Sequence, residues 1–198
     1  MTKLQPVPSP LVDYYKSFKS IWGALAAFVG ALPWLSKFLP AGTSHYVFPP
    51  LGQIEPLART GAIVFALLAT YVAFFLGSAR AKRNAVIAAC TALLCFVAFL
   101  VFYSQLVRTV DISSQGVALS VSVGFERSDF AKQTFANASD EEMLRARSMS
   151  DEEIRKLWTP WSVIAGRLAL WISCVGVVCA LVLALSFGVL SQIPPHEL

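Results

Sequence analysis

The chain has 198 residues, of which 56% are hydrophobic and only 14% charged, and it carries a net charge of +4. A soluble domain holds about 25% charged residues; with a mean hydropathy of +0.62 this chain lacks the polar material to cover a water-facing globule. The basic excess flanks apolar stretches, while the polar segment 108–156 holds more carboxylates than cations, which sets nucleic acid aside as a partner.

Residues 1–20 read as a polar cytoplasmic segment carrying Lys3, Lys16 and Lys19. The first apolar stretch runs from Ile21 to Leu39 and is interrupted by Pro33. Trp22 and Trp34 suit the headgroup level, and Lys37 can snorkel to the interface. The polar lead-in and the lack of an A-x-A site before Pro33 favour a span over a cleaved signal.

The second and third stretches, Gly61 to Ala79 and Ala85 to Leu106, contain no charge. At about 1.5 Å per residue each can cross roughly 30 Å of hydrocarbon. The loop between them holds Arg80, Lys82 and Arg83 and no acid, the strongest positive-inside signal in the chain. Placing it in the cytoplasm puts both termini inside and the long segments outside. The Ala-rich helices suit a bacterial inner membrane. The same three cations offer a docking place for an acidic cytoplasmic protein or anionic lipid, although topology alone accounts for them.

Beyond Leu106 the pattern changes. The alternating segment Gly116–Phe125 has the period of two that marks a half-buried strand, and Val107–Ile112 is expected as its hairpin partner. Two strands alone are marginal in water, so a third is expected from Tyr46, Val47 and Phe48 or from another subunit. Ser139-Asp-Glu-Glu142 and Ser150-Asp-Glu-Glu153 both match the S-x-x-E capping box and predict two short helices.

The fourth stretch, Trp161 to Leu190, is uncharged from Leu168 onward. Trp158, Trp161 and Arg167 are placed at the interface, Arg167 either snorkelling, lining a pore or holding an anionic headgroup. Gly176, Ala180, Ala184 and Gly188 recur every four residues and form a small-residue face for helix packing. Gly23, Ala27 and Ala31 repeat the device in the first stretch, with Ala26 and Gly30 beside them.

The fold expected is an all-α membrane bundle of about four transmembrane helices, with a small extramembrane α+β cap, a β-hairpin plus two short helices, between the third and fourth. Its divisions are a cytoplasmic segment 1–20, helices one to three in 21–106, an extracytoplasmic cap 107–160, helix four in 161–190 and a cytoplasmic tail 191–198. Chemistry is sparse. His45 and His196 stand alone, and Cys90, Cys95, Cys174 and Cys179 lie inside apolar runs, so no zinc site, His-based triad or cofactor is expected. No nucleotide-binding or nucleophile-elbow motif occurs. The expected function is a non-enzymatic multi-pass protein, a self-assembling scaffold or sensor subunit of a membrane complex, surrounded by lipids and forming a homo-oligomer. Two alternatives are an oligomeric channel, with Thr70, Thr91, Ser104, Ser173 and Ser186 as lining candidates, and a lipid-acting enzyme using Glu55, Glu126, Asp129 and Arg167.

Overall fold

The structure, a computed structural model, describes residues 21–38, 47–76, 80–112, 117–147 and 149–191. In chain order it contains α1 (Ile21–Leu35), α2 (Glu55–Leu76), α3 (Ala81–Leu106), β1 (Val107–Ile112), β2 (Val117–Ser122), α4 (Asp129–Thr134), α5 (Asp140–Ala146), α6 (Asp151–Leu157) and α7 (Pro160–Leu190), with 3-10 turns at Ser36–Phe38 and Gly52–Ile54.

Among the described residues, three helical stretches are long and apolar enough to cross a membrane: Gly52–Ala73, Ala81–Leu106 and Pro160–Leu190. The expected fourth span is not among them. α1 has 15 residues, about 22 Å of helix against roughly 30 Å of hydrocarbon. Pro33 cannot donate its backbone N–H, and the helix gives way to a 3-10 turn at Ser36. α2 begins at Glu55 rather than Gly61, and α3 at Ala81, so Lys82 and Arg83 lie in its first turn rather than in a loop.

α7 is the axis of the bundle: α1, α2 and α3 all pack on it. α3 and α7 run antiparallel in one constant register. Ala81 clusters with Leu190 and Phe187, a Cβ on Gly176 would lie 3.0 Å from Cys95 Sγ, and one on Gly166 would lie 3.3 Å from the Leu106 methyls. Ala81, Ala88, Ala92, Phe99 and Leu106 are the buried positions of α3, a heptad-like seam suited to such a pair. On α2 the buried face is Ala58, Ala62, Ala66, Ala69 and Ala73. Helices in lipid associate by close backbone approach, which alanine permits.

The cap begins without a loop, because α3 passes directly into β1. β1 and β2 pair antiparallel, with Val107 opposite Ser122 and Val110 opposite Leu119. Among the described residues, helices rather than a third strand cover the hairpin. α5 packs on β1, and Val110, Val121 and Val123 share a core with Met143, Leu144, Ile154 and Leu157. Phe48, expected as a strand residue, is buried instead with Leu51, Ala58 and Ala62 at the end of the bundle; Tyr46 lies outside the described residues. The inner face of β2 is shorter than the alternation predicts, since Leu119 and Phe125 are exposed.

Three short helices occupy the cap, not two. The extra one, α4, is capped by Ser128, whose Oγ accepts from Ala131 N at 3.1 Å. It has alanine where a capping box has glutamate, which is why the S-x-x-E pattern misses it. Ser139 makes the full reciprocal box with Glu142. Ser150 Oγ accepts from Glu153 N at 3.4 Å, while the Glu153 carboxylate turns to Lys156 Nζ at 2.8 Å.

Candidate functional site

Where the cap meets the bundle, four chain segments converge on one ion pair. α7 carries Arg167 on its second turn, and α6 carries Asp151 as its first residue. Arg167 Nη2 donates to Asp151 Oδ1 at 2.7 Å and Nη1 to Oδ2 at 3.3 Å. Arg167 Nε donates to Ser122 Oγ on β2 at 3.0 Å, and Gln53 N–H donates to Asp151 Oδ2 at 3.0 Å. Arg167 is buried and Asp151 half-buried, with side-chain exposures of 6% and 12%.

Such a fork is the strong form of ion pair, bidentate and charge-assisted. Burial works to raise the Asp151 carboxyl, but the hydrogen bonds from Arg167 and Gln53 outweigh it and hold the group below its ordinary value. A carboxylate so held accepts hydrogen bonds and has no proton to give near neutral pH. The loop that brings Gln53 there requires Gly52: its φ is +64°, and a Cβ would fall 2.4 Å from Asp151 Oδ1.

A second buried arginine secures the end of α1. Arg59, 5% exposed, pairs with Glu55 one turn earlier on α2. Its Nη1 donates to Ser36 Oγ at 2.7 Å and to the Pro33 carbonyl at 3.2 Å, a helix-end oxygen to which Ser36 Oγ also donates at 2.8 Å. The guanidinium also lies over the Phe48 ring, 5.1 Å from its centroid. Beside it, Trp171 Nε1 donates to the Ala58 carbonyl at 2.9 Å. In the cap, Asp140 is shared by Arg127 Nη2 at 2.8 Å and Arg108 Nε at 3.3 Å.

Arg167 is a buried strut, 5% exposed, and an acid from the cap reaches it. Trp158, expected at the interface, is 1% exposed inside the cap core. The extended backbone after α6 pairs it with Arg127 and turns the ring inward. Trp161 is 72% exposed. Of the small-residue face on α7, Gly176 meets Cys95, Ala180 is buried, Ala184 is half-buried, and Gly188 has open space where a Cβ would go. On α1 the packed positions are Ala26, which is buried, and Gly30, which faces Ala66 and Val182; Ala27 is exposed. Arg80, Lys82 and Arg83 are exposed at the end of the bundle opposite the cap.

The four acids and bases considered for lipid chemistry fall into separate sets: Glu55 with Arg59, Arg167 with Asp151, and Glu126 and Asp129 on either side of Lys132. Thr70, Thr91, Ser104 and Ser173 bond carbonyls of their own helices. All four cysteines are free. Among the described residues no cluster of three or more His, Cys, Asp or Glu could hold a metal. Neither Asp151 nor Arg59 is singled out by local pattern, although an arginine at the edge of an apolar span calls for a partner. No known protein family, characterised protein or solved structure matches the chain.

Proposed function

We propose that this chain is a non-enzymatic, self-assembling scaffold subunit of a membrane complex, with a rigidly mounted cap as its contact surface. One observation carries the reading. Trp161, Ile164, Leu168 and Ile172 are 50–72% exposed and lie on one face of α7. The fixed register of α3 on α7 sets Gln105, exposed and polar, level with residues 166–167. Trp161 stands about 8 Å further out, which this reading sets past a headgroup layer roughly 5–7 Å thick on each side.

Phe125, 64% exposed, adjoins the same corner, since Glu126 O accepts from Thr159 N–H at 3.0 Å and from Ser162 Oγ at 3.2 Å. Apolar surface that rises beyond the lipid tails calls for protein cover, and a second copy closes it by symmetry. In this reading α1 is the fourth crossing, the basic end with Arg80, Lys82 and Arg83 faces the cytoplasm of a bacterial cell, and the cap faces outward.

Native mass spectrometry of the protein released from lipid nanodiscs tests it. The wild type is expected as a dimer or larger, and the W161E/I164E variant as a monomer with unchanged helix content. A wild type that is monomeric at every concentration overturns the proposal.

A further inference from the structure

Ile154 and Leu157 of α6 are buried in the cap core, which fixes the rotation of that helix. Its Asp151, Glu152, Arg155 and Lys156 therefore share the opposite side, at the one-turn spacing that brings side chains together. The Gln53 N–H that donates to Asp151 Oδ2 at 3.0 Å holds the start of α2 against that side. Between them lies a cavity of about 310 Å³, lined by these five residues, all polar or charged.

The level of the cavity follows from the helices around it. Gly52 opens the apolar stretch Gly52–Ala73, so Gln53 stands at its edge. Gln105 on α3, polar and exposed, is level with Arg167, the partner of Asp151. Ile54 and Leu57, 49% and 77% exposed, continue from Gln53 toward the apolar middle of α2. A polar cavity beside an exposed apolar track matches the two-part chemistry of a phospholipid.

The charges specify the headgroup. Around the cavity Asp151, Glu152 and Glu153 stand against Arg155, Lys156 and Arg167, a balance that favours a zwitterion over an anion. Arg167 is committed to Asp151, and Lys156 Nζ to Glu152 at 3.1 Å and Glu153 at 2.8 Å. Arg155 and the Gln53 side-chain amide make no hydrogen bond or ion pair among the described residues. Both are donors, and a guanidinium is the natural partner of a phosphate. Glu152, 80% exposed, meets Lys156 through Oε1, which leaves Oε2 open to a cation. Quaternary ammonium groups are held by aromatic faces, and no lining residue is aromatic. A primary ammonium instead brings three N–H donors to a carboxylate.

We propose that this pocket binds a phosphoethanolamine lipid headgroup, its phosphate on Arg155 and Gln53 and its ammonium on Glu152. The lipid then spans the cap and the start of α2 beside the Asp151–Arg167 joint, with an acyl chain along Ile54 and Leu57. The proposal requires that α2 cross the membrane and is independent of self-assembly.

The test places the full chain in nanodiscs holding phosphatidylethanolamine, phosphatidylcholine and phosphatidylglycerol in equal parts. Lipids that stay bound on release are counted by native mass spectrometry. The wild type is expected to retain phosphatidylethanolamine over each of the others by about threefold, the size of one exposed ion pair. Q53A/R155A should lose that excess with helix content unchanged, since both positions are exposed. Glu152→Gln should bring phosphatidylethanolamine and phosphatidylcholine level. Equal retention of all three lipids by the wild type overturns the proposal, as does an excess of phosphatidylglycerol. So does a phosphatidylethanolamine excess that survives in Q53A/R155A. Glycerophosphoethanolamine, which carries the headgroup without acyl chains, should leave the bound lipid in place. Displacement of the lipid by an equal concentration of it would assign the pocket to a free phosphoester and overturn the lipid.

Discussion

The cap and α2 are packed inside out relative to each other, whereas α3 and α7 bury large residues such as Phe99, Leu106, Leu170 and Phe187 as well as small ones. In the cap the buried residues are large: Val110, Val123, Met143, Leu144, Ile154, Leu157 and Trp158 are all at or below 1% exposure. In the bundle the positions turned inward on α2 are alanines, while Leu67, Tyr71 and Phe75 face out at 64–78% exposure. The two halves share one chain and differ in solvent. Water expels large apolar side chains, so the cap collects them. Acyl chains are as apolar as leucine, so the bundle gains nothing by hiding its large residues and associates where small ones let backbones close. Asp151 and Arg167 sit on the seam between these regimes, where a buried arginine of the bundle is reached by a carboxylate of the cap.

The seam is where the contrast breaks most readily. Asp151→Asn leaves Arg167 buried without its countercharge, and removing one member of a buried pair costs about 3–5 kcal/mol. In a chain of this size that lowers the melting temperature by roughly 10 °C, measurable in mild detergent. The double variant D151N/R167M should lose less than the single changes combined, since a neutral apolar replacement of the pair is tolerated. Because the Asp151 carboxyl lies below its ordinary value in the fold, its stabilisation is complete above about pH 4 and falls away as pH drops through the lowered value. The acid limb of the wild-type stability curve is therefore expected to flatten in D151N. An equal melting temperature for wild type and D151N would remove the pair's role as a joint.

The contrast is sharpened by making the same truncation on both sides. Leu157→Ala empties a fully buried site in the cap and should cost about 2–5 kcal/mol. Leu67→Ala, on the lipid-facing side of α2, changes few protein contacts and should stay within about 0.5 kcal/mol. Unfolding each variant from the same detergent gives both values in one series. Similar losses at the two positions would mean that α2 is covered by protein over the face assigned to lipid.

What could be read from sequence follows the same division. Length free of charge marks α2, α3 and α7 directly, since crossing hydrocarbon is a one-dimensional requirement. The hairpin is visible in its period of two, and the Ser139 and Ser150 caps in four consecutive residues each. What escapes is what depends on distant segments. Arg167 shows itself as a charge at the edge of a span, but nothing near it names Asp151 as partner rather than Glu152 or Glu153. Arg59 belongs to a stretch that reads as loop until α2 is seen to start at Glu55. Trp158 has the composition of an interfacial residue and becomes a core residue through its pairing with Arg127. The inward alanines of α2 are hidden because alanine is common on every face of these helices.

The smallest effect concerns the two caps that the sequence makes look alike. Ser139 has both arms of the box: its Oγ accepts from Glu142 N at 3.2 Å, and its own N–H donates to Glu142 Oε2 at 2.7 Å. Hydrogen bonds from the Ser139 backbone and then its hydroxyl hold the Glu142 carboxyl below its ordinary value. The lowering at Glu153 comes first from Lys156 instead. Ser139→Ala should cost about 1 kcal/mol and move the Glu142 titration part of the way upward, because the hydroxyl is lost while the residue-139 backbone N–H, the larger cause, remains. Ser150→Ala removes a longer bond and should leave the Glu153 titration in place, because Lys156 survives the change. Carboxyl titrations followed by NMR distinguish the two, and a shift at Glu153 as large as that at Glu142 would show that the second cap, too, works as a reciprocal box in solution.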